Sequence, residues 1–194
     1  MKKFLLLHIF FFQLTIYLTA QMSSDSLVAY YPFNGNVKDS TAFSNHGIIQ
    51  GAEFVKDRFG NSNNAISFNG YNDYVEIPYS TSLMVGSSRT VTFWMYPYTW
   101  DGTAGILCQD GSHGNQIFAE YDNRFRWEMF ANSSPTNINS DEDFIKKAEW
   151  QFISIVMTTN GTETTVMFYR NGISYSQEMK TTVVDKKTTN YFIG

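Results

Sequence analysis

The stretch at residues 64–78, NAISFNGYNDYVEIP, constrains the fold more than any other part of the chain. Ile66 and Phe68 fall on one side of an extended segment. Val75 and Ile77 fall on one side of a second, with Tyr74 and Glu76 opposite. A period of two is the mark of strands buried on one face, and it excludes an amphipathic helix here. Between the two runs, Asn69-Gly70 and Asn72-Asp73 supply the backbone freedom and local hydrogen bonds of a sharp turn. The pattern predicts a β-hairpin. With 17% aromatic and only 16% charged residues, the remainder has the chemistry of a β-sandwich, and 194 residues suit one all-β domain. A formal net charge of −4 gives no basic footprint for nucleic acid or an anionic membrane.

The first twenty residues are set apart. Lys2 and Lys3 precede a nearly uninterrupted apolar run over 4–18, and Thr19-Ala20 then precedes Gln21. Basic, apolar and small-residue regions in that order read as a secretory signal peptide, 1–20, cut after Ala20. The run is short for a spanning helix, which needs about 20 residues, and no later stretch could insert in a membrane. The expected location is extracellular or at the cell surface. The one cysteine, Cys108, has no partner for a disulfide within its own chain and reads as a small apolar strand residue.

Along the mature chain, 27–33 (LVAYYPF) is expected as the first strand and 34–47 as an Asn-, Ser- and Gly-rich loop. A weaker strand is expected over 47–55. In 89–98 (RTVTFWMYPY), Val91, Phe93 and Met95 point one way and Thr92, Trp94 and Tyr96 the other. Three strands are read at 105–108, 116–121 and 125–130. Residues 131–147 give no periodic signal, and Asp141-Glu142-Asp143 reads as a solvated loop or the N-terminal turn of a helix rather than a metal site. Strong alternation resumes at 150–158. Asn160-Gly161 and Asn171-Gly172 then mark two hairpin turns, joining 164–170 and 173–178.

Five stretches stand in an order that resembles the laminin-G-like, concanavalin A-like lectin/glucanase jelly roll in its bacterial secreted branch. They are Tyr31-Pro32-Phe33-Asn34-Gly35-Asn36, the 64–78 stretch, Thr90-Val91-Thr92-Phe93-Trp94-Met95, the Trp150-led meander ending Tyr169-Arg170-Asn171-Gly172, and Asn190–Gly194. The resemblance spans about 27–194. It implies a two-sheet antiparallel jelly-roll sandwich over 21–194, with a closing strand expected beyond Gly194 and other domains of a longer chain beyond that. It also implies calcium held between the first loop and the 64–78 turn, with Asp39 as a side-chain ligand and Gly70 as a carbonyl ligand. The same Asp39 could instead cap the Ser40-Thr41 turn without an ion.

Catalysis finds little support in the residues. Retaining glycoside hydrolases need two carboxylates on one face, about 5–5.5 Å apart. The nearest run, Glu120-Tyr121-Asp122, lacks a third carboxylate, and Asp122-Asn123 reads as a turn. No nucleophile elbow or zinc-binding His pair is present, and His46 and His113 stand in loops. The expectation is a non-enzymatic module that recognises a glycan or glycoprotein. A structural or adhesive protein-interaction domain is the alternative, and a glycoside hydrolase the third choice. Sugars bind through rings that stack on C–H faces and through planar polar groups that pair with hydroxyls. Candidates are Trp100, Tyr98, Asp101, Arg124, Arg126 and Glu128; Trp94, Trp127 and Trp150 are expected in the core.

Overall fold

The structure is a computed structural model that describes residues 26–84, 88–98, 102–109, 115–131, 134–161, 163–181 and 188–194. Residues 1–20, read above as a signal peptide, and Trp100, Asp101 and His113 lie outside the described residues. Among the described residues thirteen strands form: β1 Ile48–Gln50, β2 Glu53–Val55, β3 Ala65–Ser67, β4 Tyr74–Ile77, β5 Arg89–Met95, β6 Ala104–Gln109, β7 Gln116–Ala119, β8 Phe125–Ala131, β9 Ser134–Asn139, β10 Gln151–Asn160, β11 Glu163–Arg170, β12 Ile173–Thr181 and β13 Tyr191–Ile193. A seven-stranded sheet runs β1-β4-β13-β6-β7-β8-β9, and a four-stranded sheet runs β12-β11-β10-β5. Ribbon β2-β3 stands beside them. Every pairing among these strands is antiparallel. No helix among the described residues is long and apolar enough to cross a membrane.

Alternation decides what each sheet buries. Phe125, Trp127 and Met129 of β8 face Ile153, Ile155 and Met157 of β10 across the sandwich, all at most 3% exposed. Each such side chain contributes about 1.5–3 kcal/mol by leaving water. Val91, Phe93 and Met95 of β5 pack on the same core. A smaller cluster forms around Val37, Val75 and Ile77, with Tyr31 and Phe33 against it. Arg89 opens β5 with its guanidinium carbon 5.8 Å from the buried Trp127 ring. Burial pulls its pKa below the ordinary arginine value, only partly offset by Tyr191.

Three expectations are corrected. The 64–78 stretch is not a hairpin: β3 pairs with β2, whereas β4 pairs with β1 and β13. The turn between them folds on side chains instead of a ladder. Asn69 Oδ1 accepts from the N–H groups of Tyr71, Asn72 and Asp73, and Asp73 Oδ2 accepts from Asn69 N–H. With β4 flanked on both edges, β3 has no place beside it. Residues 27–33 carry no ladder either. Their backbone is met by loop and side-chain groups, including Ser40 N–H on the Tyr30 carbonyl at 2.8 Å and Asn45 Nδ2 on the Val28 carbonyl at 3.2 Å. The strand expected over 47–55 is broken by Gly51, whose φ is +77°.

Two further findings lie beyond the alternation. Trp94 is 44% exposed and faces away from the core, whereas Trp127 is buried as expected. The segment after β9 plugs one end of the sandwich with Phe144 and Ile145, which are 1% and 2% exposed. Gln151, wholly buried, pins that segment by donating to the Lys146 carbonyl at 2.6 Å and accepting from Lys146 N–H at 3.2 Å.

Candidate functional site

On the outer face of the seven-stranded sheet, β7 and β8 expose the alternate side chains of two buried strands. Arg126 stands opposite Phe118 and Asn139, and Glu128 opposite Gln116 and Asn137. The β7–β8 turn closes by Glu120 N–H on the Arg124 carbonyl and Asn123 N–H on the Glu120 carbonyl, both 2.9 Å. Asn123 takes a φ of 61°, a turn conformation that asparagine tolerates. The plug segment grips this turn from outside. Asp143 N–H reaches the Asp122 carbonyl at 3.1 Å, and Ile145 N–H the Asn123 carbonyl at 2.7 Å.

This framework fixes a network of planar charged groups. Arg126 Nε donates to Glu120 Oε1 at 2.5 Å and its Nη1 to Glu128 Oε2. Its guanidinium lies 4.4 Å over the Phe118 ring, and Thr103 Oγ1 holds the second Glu120 oxygen at 2.8 Å. Arg124 joins Asp122 at 2.5 Å and Glu142, delivered by the plug segment, at 2.8 Å. The hydrogen bond from Arg124 holds the Asp122 carboxyl below the usual carboxylate range, and the same contact raises Arg124. Four carboxylates thus surround two guanidiniums, an excess of negative charge. Between these groups lies an open concavity of about 320 Å³ lined by Glu120, Tyr121, Asp122, Arg124, Arg126 and Asn139. Tyr121 stands at it 74% exposed.

The sequence candidates divide accordingly. Arg124, Arg126 and Glu128 come together. Tyr98 is 72% exposed but belongs to a different cluster, with Tyr96 at 5.1 Å and Trp150 beyond it. Glu120, Asp122, Glu142 and Tyr121 join the same cluster and are not among the sugar-binding candidates; Glu120-Tyr121-Asp122 is weighed above only as a catalytic carboxylate run. Glu120 and Asp122 are legible in retrospect, because E-Y-D-N-R closes a tight turn that sets its acids beside Arg124 and Arg126. Glu142 arrives through the packing of Phe144, for which no local signal exists.

The calcium ligands expected from the family resemblance are differently engaged. Asp39 is 4% exposed. Its Oδ1 accepts from Tyr30 and Thr41 N–H, both at 2.9 Å, and its Oδ2 from Thr41 Oγ1 at 2.8 Å and Asn45 N–H at 2.9 Å. Burial pushes this carboxyl up, but the bonds from Thr41, Tyr30 and Asn45 outweigh it and hold the pKa below the usual range. Both oxygens are therefore occupied by protein donors, as in a loop cap. Gly70 sits in the exposed 69–73 turn, whose side-chain bonds run among Asn69, Asn72 and Asp73. Among the described residues no three His, Cys, Asp or Glu side chains converge on one point. The donor set as placed fits a capped loop better than a calcium cage. Burial pushes the Cys108 thiol up to about 11, which suits an inert strand residue.

Comparison with known proteins agrees with the architecture. The binding domain of botulinum neurotoxin serotype D/C VPI 5993 superposes with a TM-score of 0.62 at 14% identity, over 88% of this chain and 43% of that one. The binding domain of botulinum neurotoxin DC in complex with SialylT gives 0.59 at 15%, over 88% and 44%. The same domain in complex with rat synaptotagmin II gives 0.60 at 14%, also over 88% and 44%. At these identities the likeness is one of fold, and this chain spans less than half the length of those structures. No curated protein matches the sequence. The model of the concanavalin A-like lectin/glucanases superfamily matches residues 69–194, from the capped turn before β4 to the end of β13, and the chain belongs to that superfamily.

Proposed function

We propose that this chain is a secreted, non-catalytic recognition module that binds a neutral, hydroxyl-rich glycan, free or on a glycoprotein, at the outer face around Arg124 and Arg126. The observation that carries the reading is the open concavity in which fixed Arg–carboxylate pairs stand beside the exposed Tyr121 ring. Paired guanidinium and carboxylate groups offer donors and acceptors in one plane, the arrangement that vicinal hydroxyls match. Tyr121 supplies a face for sugar C–H groups. The excess of carboxylates disfavours an anionic sugar at this place. In the similar structures the fold belongs to binding domains, one in complex with SialylT and one with rat synaptotagmin II. Hydrolysis is disfavoured because Arg126 lies between Glu120 and Glu128 and bonds both, filling the space that a scissile bond needs. The 1–20 segment is read as the export signal that delivers the module outside the cell.

A glycan array followed by calorimetry tests the proposal. Saturable binding to neutral glycans is expected, weakened about three- to tenfold by Tyr121→Ala. A blank array from well-folded protein would favour the adhesive, protein-contact reading. Release of reducing sugar from polysaccharides would restore the hydrolase.

A further inference from the structure

We infer that Arg58, Phe59 and Trp94 form a second binding site, on the outer side of the four-stranded sheet, for a carboxylate-bearing sugar such as a terminal hexuronate. The loop between β2 and β3 leans over edge strand β5 and places the Arg58 guanidinium carbon 4.1 Å from the Phe59 ring centre and 4.2 Å from that of Trp94. Phe59 is 72% exposed and Trp94 44% exposed, and Phe152 backs Trp94 at 5.4 Å. Large aromatic side chains held open to water beside a cation are unusual on a sheet face that could bury them.

The loop that presents Arg58 is ordered from within. Asp57 Oδ1 accepts from Phe59 N–H at 2.8 Å and Asn61 N–H at 2.9 Å, and Oδ2 accepts from Asn61 Nδ2 at 3.0 Å. Asp57 N–H and Asn61 carbonyl close the base at 3.0 Å, and Gly60 N–H meets the Asp57 carbonyl at 3.0 Å. The one acid adjacent to Arg58 is thereby committed to its own loop. Among the described residues, Arg58 has neither a carboxylate within ion-pair distance nor a hydrogen-bond acceptor, unlike Arg124 and Arg126. Stacking occupies the flat face of a guanidinium and leaves its in-plane N–H fork available. That fork matches a carboxylate bidentately, while the exposed parts of the Phe59 and Trp94 rings that the guanidinium does not cover offer apolar surface to the C–H groups of a pyranose ring. The site needs no contribution from the Arg124–Arg126 concavity, so the two outer faces would sort sugars by charge.

Calorimetry of the protein with a glucuronate-terminated disaccharide, and with the same disaccharide after carboxyl reduction, tests this. The acid form is expected to bind, and the reduced form about tenfold or more weakly, because a charge-assisted fork is lost. Arg58→Gln and Trp94→Ala should each weaken the acid form by about tenfold, whereas Tyr121→Ala should leave it unchanged. Should Trp94→Ala fail to fold, Phe59→Ala, at an exposed loop position, reads the same platform. The assignment is overturned if the acid sugar does not bind, if both forms bind alike, or if Arg58→Gln binds normally. An acidic peptide that binds through Arg58 where no sugar does would also overturn it, making the patch a peptide-docking surface. Loss of neutral-glycan binding with acid-sugar binding intact would strike only the first site.

Discussion

The two outer faces of the sandwich treat arginine in opposite ways. On the seven-stranded sheet, Arg126 sits on a strand with Glu128 two residues along on the same face and Glu120 across a tight turn, so its charge is neutralised by neighbours. On the four-stranded sheet, Arg58 reaches in from a loop whose own acid is bound to backbone, and its partners are rings. The difference follows from where the acids are tethered. A strand presents its charges at fixed intervals and pairs them; a capped loop consumes its carboxylate and leaves the cation to the rings beside it. The first face is an acidic, hydrogen-bonding surface and the second a cationic, stacking one.

The comparison can be broken most forcefully at Arg126. Arg126→Met leaves Glu120 and Glu128, whose side chains are 15% and 17% exposed, facing one another without their shared cation. Removing one partner of a buried pair costs about 3–5 kcal/mol, and partial solvent access reduces this to about 1–3 kcal/mol here. Arg58→Met at the stacked, exposed position should cost less than about 0.5 kcal/mol. Urea unfolding of both variants checks this, and equal losses would show that the two arginines are held alike.

That contrast also marks how far the sequence could be read. Alternation placed β5, β8 and β10, and in β5 it separated Val91, Phe93 and Met95, which pack on the core, from the opposite face. Asn171-Gly172 placed the β11–β12 turn, and both residues take the positive φ that such a turn needs, 52° and 81°. Alternation assigns a face and not a neighbour, so it joined β3 to β4 as a hairpin although they pair in different sheets. It missed β9, where Ile138 is a lone buried apolar residue among polar ones. Trp94 was assigned to the core because an aromatic outward position looks like a second buried face, and its partner Arg58 is remote in sequence. Arg124, Arg126 and Glu128 are sugar-binding candidates from loops and polar strand faces, and the structure brings them together. Their acid partners depended on a turn and on the docking of Phe144, which is tertiary information.

A smaller effect separates carboxylates that serve the fold from those that serve a surface. Asp39 caps the first loop from within, so Asp39→Ala should cost about 1–3 kcal/mol by stranding buried donors. Its folded pKa is depressed below the ordinary value that an aspartate has in the unfolded chain. The stabilisation is therefore fully present above that unfolded value and is lost as pH falls through the lower folded value. The wild-type stability curve should decline below about pH 4 more steeply than that of Asp39→Ala. Calcium should leave both melting curves unmoved. A rise with millimolar calcium that Asp39→Ala abolishes would instead return Asp39 to an ion.

The smallest change in stability, and the finest cut between the two faces, is expected at Asp57. Its carboxylate is exposed and bonds only within its own loop, so removing it exposes no buried group. Thermal unfolding of Asp57→Ala should thus resemble that of the wild type. The loop would, however, lose the two bonds to Phe59 and Asn61 N–H groups that hold Arg58 and Phe59 over Trp94. Binding would then carry the cost of ordering that loop, and affinity for the glucuronate-terminated disaccharide should fall a few-fold. Asp57→Asn keeps an Oδ1 acceptor for both N–H groups and should recover most of that loss. Neutral-glycan binding at the Arg126 face should not respond to either variant. If Asp57→Ala binds the acid sugar as well as the wild type, the loop's order is irrelevant to Arg58. If neutral-glycan binding falls with it, the two faces are coupled and the contrast between them fails.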